Sequence, residues 1–334
     1  MNFRTKLIAH ASTLAALVVL FVAGTVFSPQ RSMIRESHRL LFPGLVSHGA
    51  GGIELRSDAG RKELYTVPGP GTALRWMYRT EDGEFPASVE RIKAFIRFLE
   101  SVETTRLVAG NEKRSSEFGL EPGQTGTLTV FDRTGTERWK LFVGNSSAGG
   151  NSVYVRSAAD PRVYETRSEL REYLERDDTF WLELGLFPDG LSESDITGIS
   201  VKADIVPVEG SGTLELLDEY ELVKSAEQGG EVWKLVGREL SLDQNEVRDL
   251  VRSLIALEAT GISRDASIGT DRPQAEILVS TGGSDKYRLF VGRAAAEDRY
   301  YVTMEGTPYR YDVGTWRLER VLRPLSSLLS PSRQ

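Results

Sequence analysis

Read from its side chains alone, this chain is an α+β protein: a tandem duplication of an antiparallel-sheet-plus-helix unit, preceded by one N-terminal transmembrane helix. Three features of the 334-residue sequence lead there. An uncharged apolar run lies near the N-terminus, a set of landmarks occurs twice in the same order, and short alternating segments follow one another on tight turns.

The apolar run is Leu7–Phe27, with no formal charge in it. A helix rises 1.5 Å per residue, so ~20 apolar residues cross a ~30 Å hydrocarbon core. Arg4 and Lys6 precede it and favour a cytoplasmic N-terminus. Arg31, Arg35 and Arg39 on the far side oppose that bias, but a large domain behind a single N-terminal span is usually exported. The expectation is a single-pass protein of the cytoplasmic (inner) membrane with its bulk extracytoplasmic, or periplasmic. A cleaved signal peptide is the competing reading, with Val22-Ala23-Gly24 as the small-residue site. His10 reads as a polar residue tolerated in the span.

The repeat divides the chain into residues 1–39 (anchor and linker), 40–185 (first unit) and 186–334 (second unit). The first unit opens on Leu41-Phe42-Pro43-Gly44-Leu45, the second on Leu186-Phe187-Pro188-Asp189-Gly190-Leu191. Gly52-Ile53 is answered by Gly198-Ile199, Trp76 by Trp233, and Trp139-Lys140-Leu141-Phe142-Val143-Gly144 by Tyr287-Arg288-Leu289-Phe290-Val291-Gly292. Between these lie two amphipathic helices with apolar residues at i, i+3, i+4, i+7 and i+10. One uses Ile92, Phe95, Ile96, Leu99 and Val102; the other uses Val247, Leu250, Val251, Leu254 and Leu257. Ser88 and Asp243 stand where helix caps belong, and Glu246 completes a capping box with Asp243.

In the first unit the strands are expected at Ile53–Ser57, Glu63–Val67, Leu74–Arg79, Gly126–Asp132, Arg138–Gly144, Ser152–Arg156 and Arg162–Thr166. The helices are expected at Ser88–Thr104 and Ser168–Arg176. Thr127-Leu128-Thr129-Val130-Phe131 shows the period of two that marks a half-buried strand. Consecutive strands on short turns make antiparallel sheets, and so α+β. In the second unit a terminal helix is expected over Thr315–Leu329, kinked or ended by Pro324. Trp76, Trp139 and Trp233 are expected in the core, and Trp181 at the junction of the units.

Little catalytic chemistry is available. The chain has no cysteine and three histidines, His10, His38 and His48, all ahead of the first strand. That leaves no thiol nucleophile, no cysteine-ligated metal, no disulfide and no histidine base for a triad. No calcium-loop motif occurs, and Asp177-Asp178 and Asp285 read as solvated turn residues. The glycine-rich stretches at His48–Gly52 and Pro68–Thr72 lack the Lys-Ser/Thr of a phosphate loop. After residue 39 there are 36 basic and 47 acidic side chains, so the body repels nucleic acid. No catalytic, cofactor-binding or metal residue is assigned, and no cofactor.

The unit from LFPGL and the Gly-Ile strand through Glu117-Phe118-Gly119-Leu120-Glu121-Pro122, Leu141-Phe142-Val143-Gly144 and Ser152-Val153-Tyr154-Val155-Arg156 resembles the bacterial family called domain of unknown function 4340. The likeness extends over nearly everything after residue 40. It implies one N-terminal span, an exported α+β body and a genetic setting beside ABC-type transport systems of the gliding-motility kind. It carries over no active-site residue. The second unit departs from the Gly-Leu-x-Pro step, with Ile268-Gly269-Thr270-Asp271-Arg272-Pro273 instead.

The functional expectation is a non-catalytic accessory or scaffold partner of a membrane or envelope complex. An ABC-transporter permease or auxiliary subunit is the kind of partner the resemblance implies. The alternative is an extracytoplasmic module binding a glycan, peptide or lipid in the groove between the repeats. A third reading is an envelope hydrolase acting through carboxylates.

Overall fold

The structure, a computed structural model, describes Leu17, Val18 and residues 38–331, apart from 59, 70–73, 122, 124, 207–213, 228–229, 266–268, 283–285 and 297. The span Leu7–Phe27, with His10 and the Val22-Ala23-Gly24 site, thus lies outside the described residues save for Leu17 and Val18. Asp285 and Ile268 lie outside them too. Among the described residues no helix is long and apolar enough to cross a membrane.

The chain folds as two units. The first takes residues up to Thr80 together with Val89–Phe180; the second takes Glu81–Ser88 and everything from Trp181. The division falls a few residues ahead of 185, and the short segment Glu81–Ser88 groups with the second unit.

In the first unit apolar and polar residues alternate along β1 (Gly52–Ser57), β2 (Gly60–Pro68) and β3 (Leu74–Thr80). The next strand, β4 (Gly83–Pro86), lies in the segment that groups with the second unit. β5 (Arg106–Ala109), β6 (Gly126–Phe131), β7 (Glu137–Ser146), β8 (Ser152–Ser157) and β9 (Val163–Arg167) complete the set. The sheet runs β3-β2-β1-β6-β7-β8-β9-β5 with every pairing antiparallel. Its helices are a four-residue turn α1 (Leu45–His48), then α2 (Val89–Ser101) and α3 (Glu169–Glu175). Ile53 and Leu55 point to the same side as Leu64, Leu128, Val130 and Leu141, and all are buried. That side is the core with Ile92, Phe95 and Leu99 of α2 and Leu170 and Leu174 of α3. Each such side chain contributes about 1.5–3 kcal/mol by leaving water.

A short helix α4 (Asp178–Trp181) ends on Trp181, which is fully buried in the second unit, where its carbonyl accepts from Ser88 N–H at 2.8 Å. The strands that follow are β10 (Ile196–Ile205), β11 (Leu216–Glu227), β12 (Gly230–Leu235) and β13 (Gly261–Ser263). Then come β14 (Ala275–Thr281), β15 (Lys286–Ala296), β16 (Arg299–Met304) and β17 (Arg310–Gly314). The helices are α5 (Gln244–Ile255) and α6 (Thr315–Val321). The sheet order is β12-β11-β10-β14-β15-β16-β17-β13. Position for position this is the order of the eight strands from β3 to β5 in the first sheet.

Ladder register makes the correspondence residue-specific. Ile53 pairs Leu64 and Thr66 pairs Trp76; Ile199 pairs Leu222 and Lys224 pairs Trp233. Trp76 and Trp233 therefore hold the same place in their sheets. So do Phe142, opposite Thr127, and Phe290, opposite Glu276. Both sheets also slip register at the same point, between Val143 and Ser146 and between Val291 and Ala294.

Several local expectations need correction. Trp233 is buried, but Trp76 and Trp139 are half-buried. The terminal helix stops at Val321; a turn and a 3-10 segment, Leu325–Leu328, replace its second half around Pro324. Trp316 is 55% exposed because Leu318 and Val321 define the buried face of α6, and its ring lies 5.0 and 5.5 Å from the Arg317 and Arg320 guanidiniums. Asp243 does cap α5, accepting from the N–H groups of Asn245 and Glu246. The reciprocal half of the capping box is absent: Asp243 N–H donates to Leu328 O, and the Glu246 carboxylate pairs with Arg323 at 2.6 Å. Strands β4 and β5 and the 3-10 turn Glu112–Phe118 were not expected at all.

Candidate functional site: the open face of the first sheet

Because Ile53 and Leu55 face the core, Glu54 and Arg56 face outward, and the same alternation exposes Thr127 and Phe131 on β6 and Lys140 and Phe142 on β7. Among the described residues this second face carries no α-helix. What crosses it is the loop after β5. A 3-10 turn over Glu112–Phe118 is capped by Asn111, whose side chain accepts from Lys113 N–H at 3.0 Å. It ends on Gly119 at φ +67°, a conformation that glycine adopts at no steric cost.

That reversal lays Phe118 and Leu120 on the outer face, where they form a small apolar cluster with Val163, Phe142 and Tyr154. The Phe118 and Tyr154 rings lie 4.8 Å apart. The approach is close enough that a Cβ on Gly144 would collide with the Phe118 carbonyl oxygen. The second unit repeats the device: Gly269 is left-handed at φ +80°, and a Cβ on Gly292 would collide with its carbonyl. The Glu-Phe-Gly-Leu and Leu-Phe-Val-Gly motifs are thus two halves of one packing contact. Gly269 shares the left-handed backbone of Gly119, but its carbonyl takes the place that the Phe118 carbonyl holds in the first unit.

Beside the cluster lies an open groove of about 510 Å³, within the range that holds small ligands. Its lining includes Glu54, Arg56, Thr127, Thr129, Glu137, Lys140, Phe142 and Arg156. The Arg56 and Arg61 guanidiniums each approach Glu54 to 2.6 Å and hold its carboxyl below the usual range against the opposing effect of burial, which is the largest single influence. The Arg156 guanidinium lies over the Phe142 ring, its Cζ 4.6 Å from the ring centroid. Its Nε is buried with no acceptor among the described residues, and Glu112 stands 3.6 Å from its Nη1. Lys140 is half-buried and has no ion-pair or hydrogen-bond partner for its ammonium among the described residues.

Residues 76–230 match a family model described as Domain of unknown function (DUF4340). This stretch is a DUF4340 match. It begins at Trp76 in β3 and ends at Gly230 where β12 starts, so it is narrower than the likeness expected from the motifs. It includes the Phe118–Gly144 contact and the groove residues Thr127, Lys140, Phe142 and Arg156. No curated protein and no solved structure matches the chain.

A second cavity of the first unit, about 260 Å³, is lined by Ser57, Asp58, Gly126, Val143, Arg171, Leu174 and Glu175. Near it Ser57 Oγ and Lys62 Nζ both donate to Leu174 O, at 3.4 and 3.1 Å. This caps the carbonyl end of α3, where a cation is favoured. Burial holds the Lys62 ammonium below its ordinary pKa despite the nearby Asp178, Asp177 and Glu175. Asp177 and Asp178, read as turn residues, are exposed but engaged. Asp177 accepts from Thr179 Oγ1 and Phe180 N–H, and Asp178 accepts from the buried Tyr78 hydroxyl at 2.5 Å. Burial first, and this bond second, push the Tyr78 hydroxyl well above its ordinary pKa. Among the described residues no group of three metal-ligating side chains converges.

The groove residues were not singled out by sequence. The signal was there: Lys140 and Arg288 align within the repeated motif, while the residues across the ladder from it, Thr127 and Glu276, differ in charge.

Proposed function

We propose that this chain is a non-catalytic, single-pass membrane protein whose extracytoplasmic body is an accessory or scaffold partner of a membrane or envelope complex. The observation that carries the reading is the second face of the first sheet, which among the described residues bears no α-helix and presents a polar, aromatic-floored groove open to solvent. Open faces of this kind suit recognition of another molecule, whereas reaction centres are more enclosed. The uncharged run Leu7–Phe27 supports the anchor. The resemblance to DUF4340 supports an ABC-type transport system as the class of complex.

We read the two units as products of an internal duplication. Shared strand order, shared ladder positions for Trp76 with Trp233 and Phe142 with Phe290, and the repeated glycine contact all support it.

The test is crosslinking of the full-length protein in native membranes, followed by recovery and mass spectrometry of what is attached. A variant with Leu7–Phe27 exchanged for an unrelated span runs in parallel. Transporter subunits recovered with both proteins place the contact in the exported body. Recovery of no specific partner with either defeats the scaffold reading.

A further inference from the structure

The two sheets carry the same cation at one ladder position and treat it differently. Lys140 pairs Thr129, which pairs Glu54; Arg288 pairs Leu278, which pairs Ser200. Lys140 and Arg288 are therefore equivalents. In the second unit Arg288 is neutralised by two carboxylates, Glu276 at 3.1 Å and Glu305 at 3.7 Å. The register places Thr127 where Glu276 stands, since Thr127 faces Phe142 as Glu276 faces Phe290. Ala158 stands where Glu305 does: each donates its backbone N–H to the carbonyl of the equivalent cation, at 2.8 and 2.9 Å. The first unit has lost both counter-charges and kept the cation.

It has also gained one. Arg156 occupies the position held by Thr303, and its guanidinium lies over the Phe142 ring in a cation–π contact. Two cations thus flank an aromatic ring in an open groove, with Thr127 on β6 directly across the ladder from Phe142 and Glu112 standing 3.6 Å from the Arg156 Nη1. An anion entering there meets preset donors, and charge-assisted hydrogen bonds are about twice as strong as neutral ones. Glu54 and Glu137 form other parts of the lining. Their like charge disfavours a dianion such as phosphate over a monoanion.

We infer that the groove of the first unit, and not its counterpart in the second, binds a peptide carboxylate, with Lys140 and Arg156 as the charged partners and Phe142 as the floor. This rests on the scaffold reading above and names the chemistry of the segment a partner would present. The carboxylate has two sources, a chain terminus or an acidic side chain.

The experiment titrates the detergent-solubilised full-length chain by calorimetry. The probes are N-acetyl-trialanine with a free carboxylate, its C-terminal amide, N-acetyl-Ala-Glu-Ala-amide and inorganic phosphate. Saturable binding of the first or third probe, at least about tenfold tighter than the amide, is expected, and which of the two binds identifies the source. Thr127→Glu restores the second unit's own solution at a position where that sheet tolerates glutamate, and should weaken binding about tenfold or more. Lys140→Gln should do the same, with thermal unfolding as the check that each variant is folded. Equal binding of the amide, tighter binding of phosphate, or unchanged affinity in both folded variants overturns the inference.

Crosslinking keeps the two readings apart. If partners are recovered but no carboxylate probe binds, the groove inference falls and the scaffold stands. If a carboxylate binds and Thr127→Glu abolishes it while no partner is recovered, the groove stands and the scaffold falls.

Discussion

Gln244 closes the edge of the second sheet on Trp233. Its Oε1 accepts from Trp233 N–H at 2.8 Å, and its Nε2 donates to Trp233 O at 3.0 Å. A side-chain amide here takes the two bonds that a neighbouring strand would take, at the outermost strand β12. An edge with free backbone groups is a template for pairing with another chain. Gln244→Ala is expected to cost about 1–3 kcal/mol, from bonds lost at a buried strand position. It should also promote self-association. Denaturant unfolding and light scattering across a concentration series check the two effects separately, and a variant as stable and monodisperse as wild type would refute this role.

The strands legible in the sequence were those with alternation long enough to count, such as Thr127–Phe131. The four residues each of β4 and β5 are too few to show a period, and a tertiary ladder, not local propensity, makes them strands. Glu246 looked like half of a capping box because spacing fits that role, yet a long-range partner, Arg323, outcompetes the local one. Trp316 stays exposed because the 100° step of the helix turns it away from the face of Leu318 and Val321. The groove was hidden for a different reason. Outward charges on a half-buried strand read as solvated, and only ladder register shows that Thr127 and Glu276 occupy one position in two sheets.

Gly144 and Gly292 make a matched pair of tests. At each, a Cβ meets a backbone carbonyl, which cannot swing aside as a flexible side chain would. Gly144→Ala and Gly292→Ala should each destabilise by about 1–3 kcal/mol, the usual cost of overpacking. Gly149 has open space around its missing Cβ, so Gly149→Ala should stay within about 0.5 kcal/mol. Equilibrium unfolding of the three variants decides it; equal effects at all three positions would contradict the packing account.

Asp132 organises the turn between β6 and β7. It accepts from Thr134 Oγ1 at 2.6 Å, from Thr134 N–H and Thr136 N–H, and from Arg138 Nε at 2.7 Å. The Thr134 hydroxyl first, then the Arg138 guanidinium, hold its carboxyl well below the ordinary range. The folded state then binds fewer protons than the unfolded state once pH drops below the ordinary aspartate value of about 4. The stability from Asp132 is present above that value and is lost as pH falls through the depressed one. Asp132→Asn should lower stability at pH 7, and the gap to wild type should narrow steadily from pH 4 to pH 2. A gap that is constant over that range would show that the carboxylate charge is not involved.

Lys62 gives the opposite limb. Only 4% exposed, it hydrogen-bonds Leu174 O, and burial keeps its pKa below that of an exposed lysine, even with Asp178 and Asp177 pulling the other way. Between the depressed folded value and the ordinary one near 10.4, the unfolded chain carries the proton more often than the folded chain does. Stability therefore rises with pH across that window as far as this group is concerned. Lys62→Met keeps the volume of the stem, removes the buried charge and deletes this rising component. Because an apolar isostere avoids the desolvation cost of the ammonium, the variant should lie within about 1 kcal/mol of wild type at pH 7. Wild type should then gain on it as pH rises toward the ordinary lysine value, read as the difference in denaturation midpoints. The reverse trend, with wild type losing ground as pH rises, would mean that Asp177 and Asp178 outweigh burial and that Lys62 is held as half of an ion pair.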